Sequence, residues 1–151
     1  MSREIGLGLQ TVNVIRGLRS DYTRGWVFVP QDLLGAAGID QDKLFQVEYE
    51  DRALEVVNQL IDKAERHLQY GLAYISALPW QNHRLRLACI WPLCFALKTL
   101  AISRNNVEVL RSEVKITRTD VKMIMRKTIL MGWSDHWLQN YTTRLSQRPV
   151  G

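Results

Sequence analysis

Polar residues close to the N-terminus of this 151-residue chain have the types and spacing of an anion-binding site. If the segment is helical, steps of three and four residues place five positions near one face: Gln10, Asn13, Arg16, Gly17 and Asp21. A carboxylate can bind a divalent metal ion, while amides and a guanidinium can donate hydrogen bonds to phosphate oxygens. This face therefore suits a metal-bridged diphosphate, with Asp21 as its only carboxylate.

A structural role is also open for each of these side chains. Asp21 could form an ion pair with Arg16 or Arg24 near the end of the helix. The amides of Gln10 and Asn13 could join neighbouring helices, because buried amides need hydrogen-bond partners. A single carboxylate is a poor Mg²⁺ site unless a substrate phosphate brings further oxygen ligands.

The apolar residues recur at helical spacing along nearly the whole chain, which predicts an all-α fold. We expect residues 1–151 to form one helical domain, since this length suits a single core. The predicted helices are residues 3–22, a short helix after Pro30, a second short helix ending near residue 47, and then 51–78, 82–105 and 118–145. Asn105 and Asn106 mark a break, and Thr117 is the expected N-cap of the last helix.

Composition and charge narrow the classes of protein to consider. The hydrophobic share of 46% and the charged share of 23% are typical of a globular protein and not of a disordered one. The longest apolar run, residues 87–97, is shorter than a membrane span, so we expect no transmembrane segment and a cytoplasmic location. The net charge of +5 is spread along the chain without a basic stripe, which argues against nucleic-acid binding.

Four separated stretches resemble the squalene and phytoene synthase family. Residues 10–21 are similar to its second aspartate-rich motif, roughly Q-x-x-N-I-x-R-D-x-x-x-D, with Gly17 where the family has the first aspartate. Residues 24–31 look like the R-G-R-x-Y-L-P segment that follows it. Residues 89–101 resemble the Cys-x-x-Pro helix of squalene synthases, and residues 114–116 resemble their V-K-I segment. The resemblance extends over about residues 4–145.

The resemblance implies an isoprenoid-synthase-type helical bundle that joins two farnesyl or geranylgeranyl diphosphates head to head, with Mg²⁺ at the diphosphates and NADPH in the reductive branch. By the same resemblance, the hydrocarbon pocket would be lined by Cys89, Trp91, Pro92 and Phe95. Lys115 and Arg118 would face a cofactor phosphate, and a solvated loop is the alternative for both. Ordinary core packing is the alternative for the four pocket residues.

The resemblance covers only the C-terminal portion of the family's pattern. The first aspartate-rich motif belongs to an N-terminal half that has no counterpart in residues 1–151. We therefore expect the isolated chain to be incomplete or inactive as an enzyme. We further expect a homo-oligomer, or a second chain that supplies the absent half; a peripheral contact with a membrane surface also stays open. The alternative function is a non-enzymatic helical module that binds a lipid or a partner helix.

Overall fold

The prediction of an all-α fold is confirmed for residues 3–147, the part of the chain that the computed structural model describes, which holds no β-strand. The α-helices are α1 (Arg3–Thr23), α2 (Gln31–Ala36), α3 (Glu50–Ser76), α4 (His83–Ser103), α5 (Glu108–Arg111), α6 (Arg118–Met131) and α7 (Asp135–Ser146). The predicted bounds of the three longest helices agree with these to within about two residues. Residues 1, 2 and 148–151 of the predicted single domain lie outside the described residues.

Helices α1 and α3 cross closely because glycines lie where the two helices meet. A side chain at Gly8 would come within 2.9 Å of Leu68 Cδ2, and one at Gly71 within 2.5 Å of Ile5 Cγ1. The absence of a Cβ at both positions lets apolar atoms of the facing helix occupy that space. The close crossing holds α1, and with it the polar face described above, in a fixed position on the bundle.

Helix α4 is the central element of the bundle and packs against α1, α3, α6 and α7. Its apolar residues point in several directions, and Ile90, Leu93, Leu97 and Leu100 are buried in the core. By length and composition alone, the 21-residue helix α4 could cross a membrane. The apolar run at residues 87–97, from which we expected no transmembrane segment, is only the middle of this helix. Just over half of its apolar window, 56%, is buried inside the bundle, which is the arrangement of a core helix.

Arg86 joins three helices at one end of the bundle. Its side chain is only 1% exposed, and its guanidinium donates hydrogen bonds to the carbonyl oxygens of Ile75 (3.1 Å) and Leu78 (2.7 Å). It also forms an ion pair with Asp135 at 2.5 Å. Because these partners lie at the end of α3 and the start of α7, the buried charge fixes how both pack on α4.

Two predictions about the helices were wrong. The chain does not form a short helix through Leu44; it makes turns there, followed by a 3-10 turn at Val47–Tyr49. The last helix is not continuous over residues 118–145, because α6 ends at Met131 and α7 begins at Asp135. Ser134 caps α7 by accepting a hydrogen bond from the backbone N–H of Trp137, which stabilises the new helix start.

The predicted cap at Thr117 and the predicted break at Asn105 are both confirmed. Thr117 and Asp120 form a reciprocal capping box at the start of α6. Asn105 has a φ of 52°, in the left-handed region that asparagine tolerates better than most residues. Its backbone N–H donates to the side-chain oxygen of Asn58 at 3.1 Å, so the turn after α4 is tied to α3.

A cleft between α1, α4 and the 113–116 segment

A cleft of about 410 Å³ opens between α1, α4 and the segment that leads into α6. It is lined by Leu9, Val12, Asn13, Arg16, Pro92, Phe95, Ala96, Thr99, Lys115 and Ile116. These residues come from three of the stretches that carry the family resemblance, together with their immediate neighbours. The fold therefore brings residues that are about a hundred positions apart in sequence to one surface depression.

The wall from α1 alternates between buried apolar residues and exposed polar ones. Val12 and Ile15 are buried in the core, whereas Asn13 and Arg16 are exposed on the adjoining face. The three-residue step between Asn13 and Arg16 places both on the same side of the helix, one turn apart. Two hydrogen-bond donors, an amide and a guanidinium, thus lie beside each other at the edge of the cleft.

The wall from α4 is mainly apolar. Pro92, Phe95, Ala96 and Thr99 follow one another at helical spacing along the side of α4 that faces α1. The hydroxyl of Thr99 donates to the carbonyl oxygen of Phe95 at 2.8 Å, so its polar group is turned back onto the helix. The cleft consequently has a largely apolar wall opposite a polar one.

Glu113 joins the two basic residues of the cleft. Its Oε1 atom lies 3.1 Å from Nε of Arg16, and its Oε2 atom lies 2.8 Å from Nζ of Lys115. The hydrogen bond from Lys115 holds the pKa of the Glu113 carboxyl below its usual value, and the charges of Lys115 and Arg16 act in the same direction. With two cations and one carboxylate, the rim of the cleft carries a net positive charge.

Three of the predicted residues lie elsewhere on the molecule. Trp91 donates its indole N–H to Thr128 Oγ1 at 3.0 Å, so its ring is directed towards α6. Cys89 is half-buried against the core, and Arg118 is exposed at the start of α6. Of the predicted hydrocarbon-pocket residues, Pro92 and Phe95 line this cleft. Of the two residues predicted to face a cofactor phosphate, only Lys115 does.

The remaining predicted residues, Gln10 and Asp21, are also separate from the cleft. Gln10 lines a depression on another side of α1, together with Phe28 and Lys63. The carboxylate of Asp21 folds back over Gly17, where a Cβ atom would meet its Oδ2 at 3.0 Å. The ion pair considered for Asp21 is not formed within residues 3–147, where Arg16 pairs with Glu113.

The described part of the chain does not group its metal-ligating side chains. Among residues 3–147, no three His, Cys, Asp or Glu side chains are grouped so that they could hold an ion. Asp21 is therefore a single carboxylate donor, and an Mg²⁺ ion there would need its other ligands from phosphate oxygens, water or another chain.

Sequence reasoning did not identify Glu113 as part of the site. Its interaction with Arg16 depends on the contact between α1 and a loop 97 positions further along the chain, which no local pattern reports. The available signal was its place directly before residues 114–116, the last of the stretches that carry the resemblance.

Comparison with known proteins places the chain in a family. Residues 1–120 match the family model described as squalene/phytoene synthase. The chain therefore belongs to the squalene/phytoene synthase family, and the resemblance drawn from the sequence is confirmed.

The relatives found by sequence are squalene synthases. The chain is 31% identical to the squalene synthase of Mus musculus over 110 residues, which cover 73% of this chain and 26% of that protein. It is also 31% identical to the squalene synthase of Dictyostelium discoideum over 108 residues, covering 72% and 26% of the two proteins. The chain thus corresponds to about a quarter of the length of these relatives.

Solved structures support the same fold class over nearly the whole chain. The complex of TcSQS with the ligand E5700 superposes with a TM-score of 0.82 at 26% sequence identity, covering 94% of this chain and 42% of that one. The TcSQS complex with BPH1237 gives a TM-score of 0.80 with the same coverage. The prediction of an isoprenoid-synthase-type helical bundle is confirmed by this agreement.

Proposed function

We propose that this chain is the C-terminal portion of a head-to-head prenyltransferase and that its cleft binds a prenyl diphosphate. The observation that carries the proposal is the shared cleft itself, in which the basic groups of Arg16 and Lys115 face the apolar wall formed by Pro92 and Phe95. A prenyl diphosphate has the same two-part character, with a multiply charged head and a hydrocarbon tail.

In this proposal, the two walls of the cleft have different tasks. Loss of diphosphate breaks a carbon–oxygen bond, which leaves negative charge on the diphosphate and an allylic carbocation on the prenyl chain. Arg16, Lys115 and Asn13 would donate hydrogen bonds to the diphosphate as its charge develops. The apolar wall around Phe95 would exclude water from the carbocation, and the face of the aromatic ring would attract the positive charge.

The resemblance implies two further groups, Mg²⁺ and NADPH, and the residues of this chain fit them to different extents. When bound, Mg²⁺ would neutralise charge on the diphosphate, and Asp21, the carboxylate that the second aspartate-rich motif retains on α1, one of the helices that line the cleft, is the residue that would hold it. For NADPH, the fit is poorer, because of its two candidate phosphate ligands only Lys115 lines the cleft, whereas Arg118 does not. The proposed reaction therefore includes no step that uses NADPH.

Head-to-head joining uses two diphosphates, and each would need its own set of metal ligands. Residues 3–147 offer no group of three carboxylate, histidine or cysteine side chains for either one. We accordingly propose that the chain works with a further segment, a second chain or a second copy of itself, and that it binds substrate without turning it over when alone.

Calorimetric titration with a non-hydrolysable farnesyl diphosphate analogue, with and without Mg²⁺, tests this function. We expect binding to the wild-type chain, and a loss of affinity of about tenfold in Arg16→Gln, because a charged hydrogen bond to the diphosphate is removed. Arg111→Gln is the matched control, since Arg111 is also an exposed arginine in ion pairs but does not line the cleft.

Two outcomes would contradict the proposal. An equal loss of affinity in both arginine variants would show that Arg16 acts only through the general charge of the protein. Binding of farnesol as tight as that of the diphosphate analogue would instead favour the non-enzymatic lipid-binding module.

A further inference from the structure

Glu113 occupies the position that an anionic ligand of the cleft would need. Each of its two oxygens contacts a different base, with Oε1 at Arg16 (3.1 Å) and Oε2 at Lys115 (2.8 Å). A phosphoryl group bound at the rim would place its oxygens against the same two cations. The carboxylate of the protein and the diphosphate of a ligand therefore have overlapping binding partners.

The solvent exposure of these ion pairs makes an exchange of anions feasible. The side chains of Arg16, Lys115 and Glu113 are 49%, 64% and 33% exposed, respectively. Ion pairs in such a solvated setting contribute little stability, because water screens the attraction and long side chains lose freedom. A diphosphate carries more charge than one carboxylate and can contact both bases at once, so it can displace Glu113.

The position of Glu113 in the chain also permits its movement. It lies in the non-helical segment between α5 and α6, and its ion pairs within the described residues are with the two bases of the cleft. Release of these pairs would leave the capping box of α6 at Thr117 and Asp120 intact. The carboxylate can consequently leave the rim without disturbing a helix.

We propose that Glu113 is an internal competitor for the anion site, which holds Arg16 and Lys115 in place when the cleft is empty and is displaced by the diphosphate. It thereby acts as a specificity-determining residue: an anion that cannot replace both of its ion pairs binds poorly, whereas a diphosphate can replace both. This inference rests on the proposed function, because it assumes that the cleft binds a diphosphate.

Titration of the wild-type chain and Glu113→Gln with inorganic pyrophosphate tests the competition. We expect Glu113→Gln to bind pyrophosphate roughly three- to tenfold more tightly, because two weak ion pairs no longer have to be broken. Glu108→Gln is the matched control: it removes the same charge, but from a carboxylate that pairs with Arg111, and should leave the affinity unchanged.

The outcomes separate this inference from the proposed function. Pyrophosphate binding that is equal or weaker in Glu113→Gln overturns the inference alone, and so does an equal gain in Glu108→Gln. No binding by any of the three proteins overturns the proposed function together with the inference.

A measurement on the wild-type chain avoids dependence on the folding of a variant. The NMR signal of the Arg16 Nε–H group reports directly on its hydrogen-bond acceptor. We expect this signal to shift on saturation with pyrophosphate, together with the side-chain carboxyl signal of Glu113. A shift of the Arg16 signal while that of Glu113 stays constant would overturn the displacement.

Discussion

Gly17 is the residue at which this chain departs most clearly from the family's second aspartate-rich motif, whereas Asp21, four residues later, matches it. Asp21 retains a carboxylate, and its side chain covers the surface where a residue at position 17 would project. The distance of 3.0 Å from the Cβ position to Asp21 Oδ2 involves the end of a flexible side chain, which can rotate away. A second carboxylate at position 17 could therefore be accommodated beside the first.

Gly17→Asp is expected to create a divalent-metal site on α1. Two carboxylates four residues apart repel each other by about 0.2–0.5 kcal/mol, and an Mg²⁺ ion between them would relieve this repulsion. At an Mg²⁺ concentration ten times the dissociation constant, the gain in stability would be about 1.4 kcal/mol. The measurement is the free energy of unfolding in urea, with and without Mg²⁺.

Gly17→Asn is the control for this experiment, because it adds a side chain of the same shape without the charge. If Mg²⁺ stabilises the wild type, Gly17→Asn and Gly17→Asp equally, residue 17 does not face a metal position and our interpretation of the motif fails.

At the scale of the elements, the position of the cleft depends on the close crossing of α1 and α3. Gly71 lies where a Cβ atom would meet Ile5 Cγ1 at 2.5 Å and Leu93 Cδ1 at 3.3 Å. These neighbours are buried side chains of α1 and α4, which have little room to move. Helices α1, α3 and α4 thus pack closely around Gly71, where there is no side chain to separate them.

Gly71→Ala is expected to destabilise the fold by about 1–3 kcal/mol, since the added methyl group overpacks the crossing. The measurement is again the free energy of unfolding in urea. Gly6→Ala is the matched control, because Gly6 lies in α1 with nothing within 4 Å of its Cβ position. Because alanine has a higher helix propensity than glycine, Gly6→Ala should be up to about 1 kcal/mol more stable than the wild type. Equal stability of the two variants would contradict the close crossing.

The long helices could be predicted from the sequence because their apolar spacing is a local property. The break between α6 and α7 could not, since Gly132 and Ser134 are both tolerated inside helices and the apolar pattern continues beyond them. The burial of Arg86 was missed as well, because arginine is usually exposed, and its acceptors are carbonyl oxygens made available by the ends of neighbouring helices.

The candidate site was predictable only in part. The motifs indicated Asn13, Arg16, Phe95 and Lys115, whose side chains do meet in one cleft. The direction of Trp91 and the ion pairs of Glu113 depend on tertiary contacts with α6 and α1. A motif gives the residue types of a site, whereas rotation about each helix axis decides which of them face the same space.

At the scale of the whole molecule, large apolar side chains remain exposed at the end where the α3–α4 and α6–α7 loops meet. Trp80, Leu130 and Trp133 are 65%, 70% and 54% exposed, respectively. The start of α4 and the last turn of α6 are joined by a contact of 3.1 Å between His83 Nε2 and the carbonyl oxygen of Ile129. Exposed apolar groups of this size favour association with another surface, in line with the proposal that the chain works with a further segment or a second copy.

We expect the chain to self-associate in sedimentation velocity experiments at micromolar concentration, and Leu130→Glu to shift the distribution towards the monomer by adding a charge to this surface. Val47→Glu is the matched control, since Val47 is also exposed but lies in the 3-10 turn before α3. A wild-type chain that stays monomeric at every concentration would contradict self-association. The exposed apolar surface would then have to be covered by a different chain or segment.

Photo-crosslinking with a benzophenone-bearing prenyl diphosphate analogue, followed by mass-spectrometric mapping of the labelled residues, tests the central claim most directly. Our account predicts labelling within residues 92–99 of α4 and 9–16 of α1, which excess farnesyl diphosphate should suppress. The groove of about 280 Å³ between α3, α4 and α7, lined in part by Leu72 and Ser146, is the rival site. Specific labelling there, with none in the cleft, would contradict the assignment of the prenyl diphosphate site.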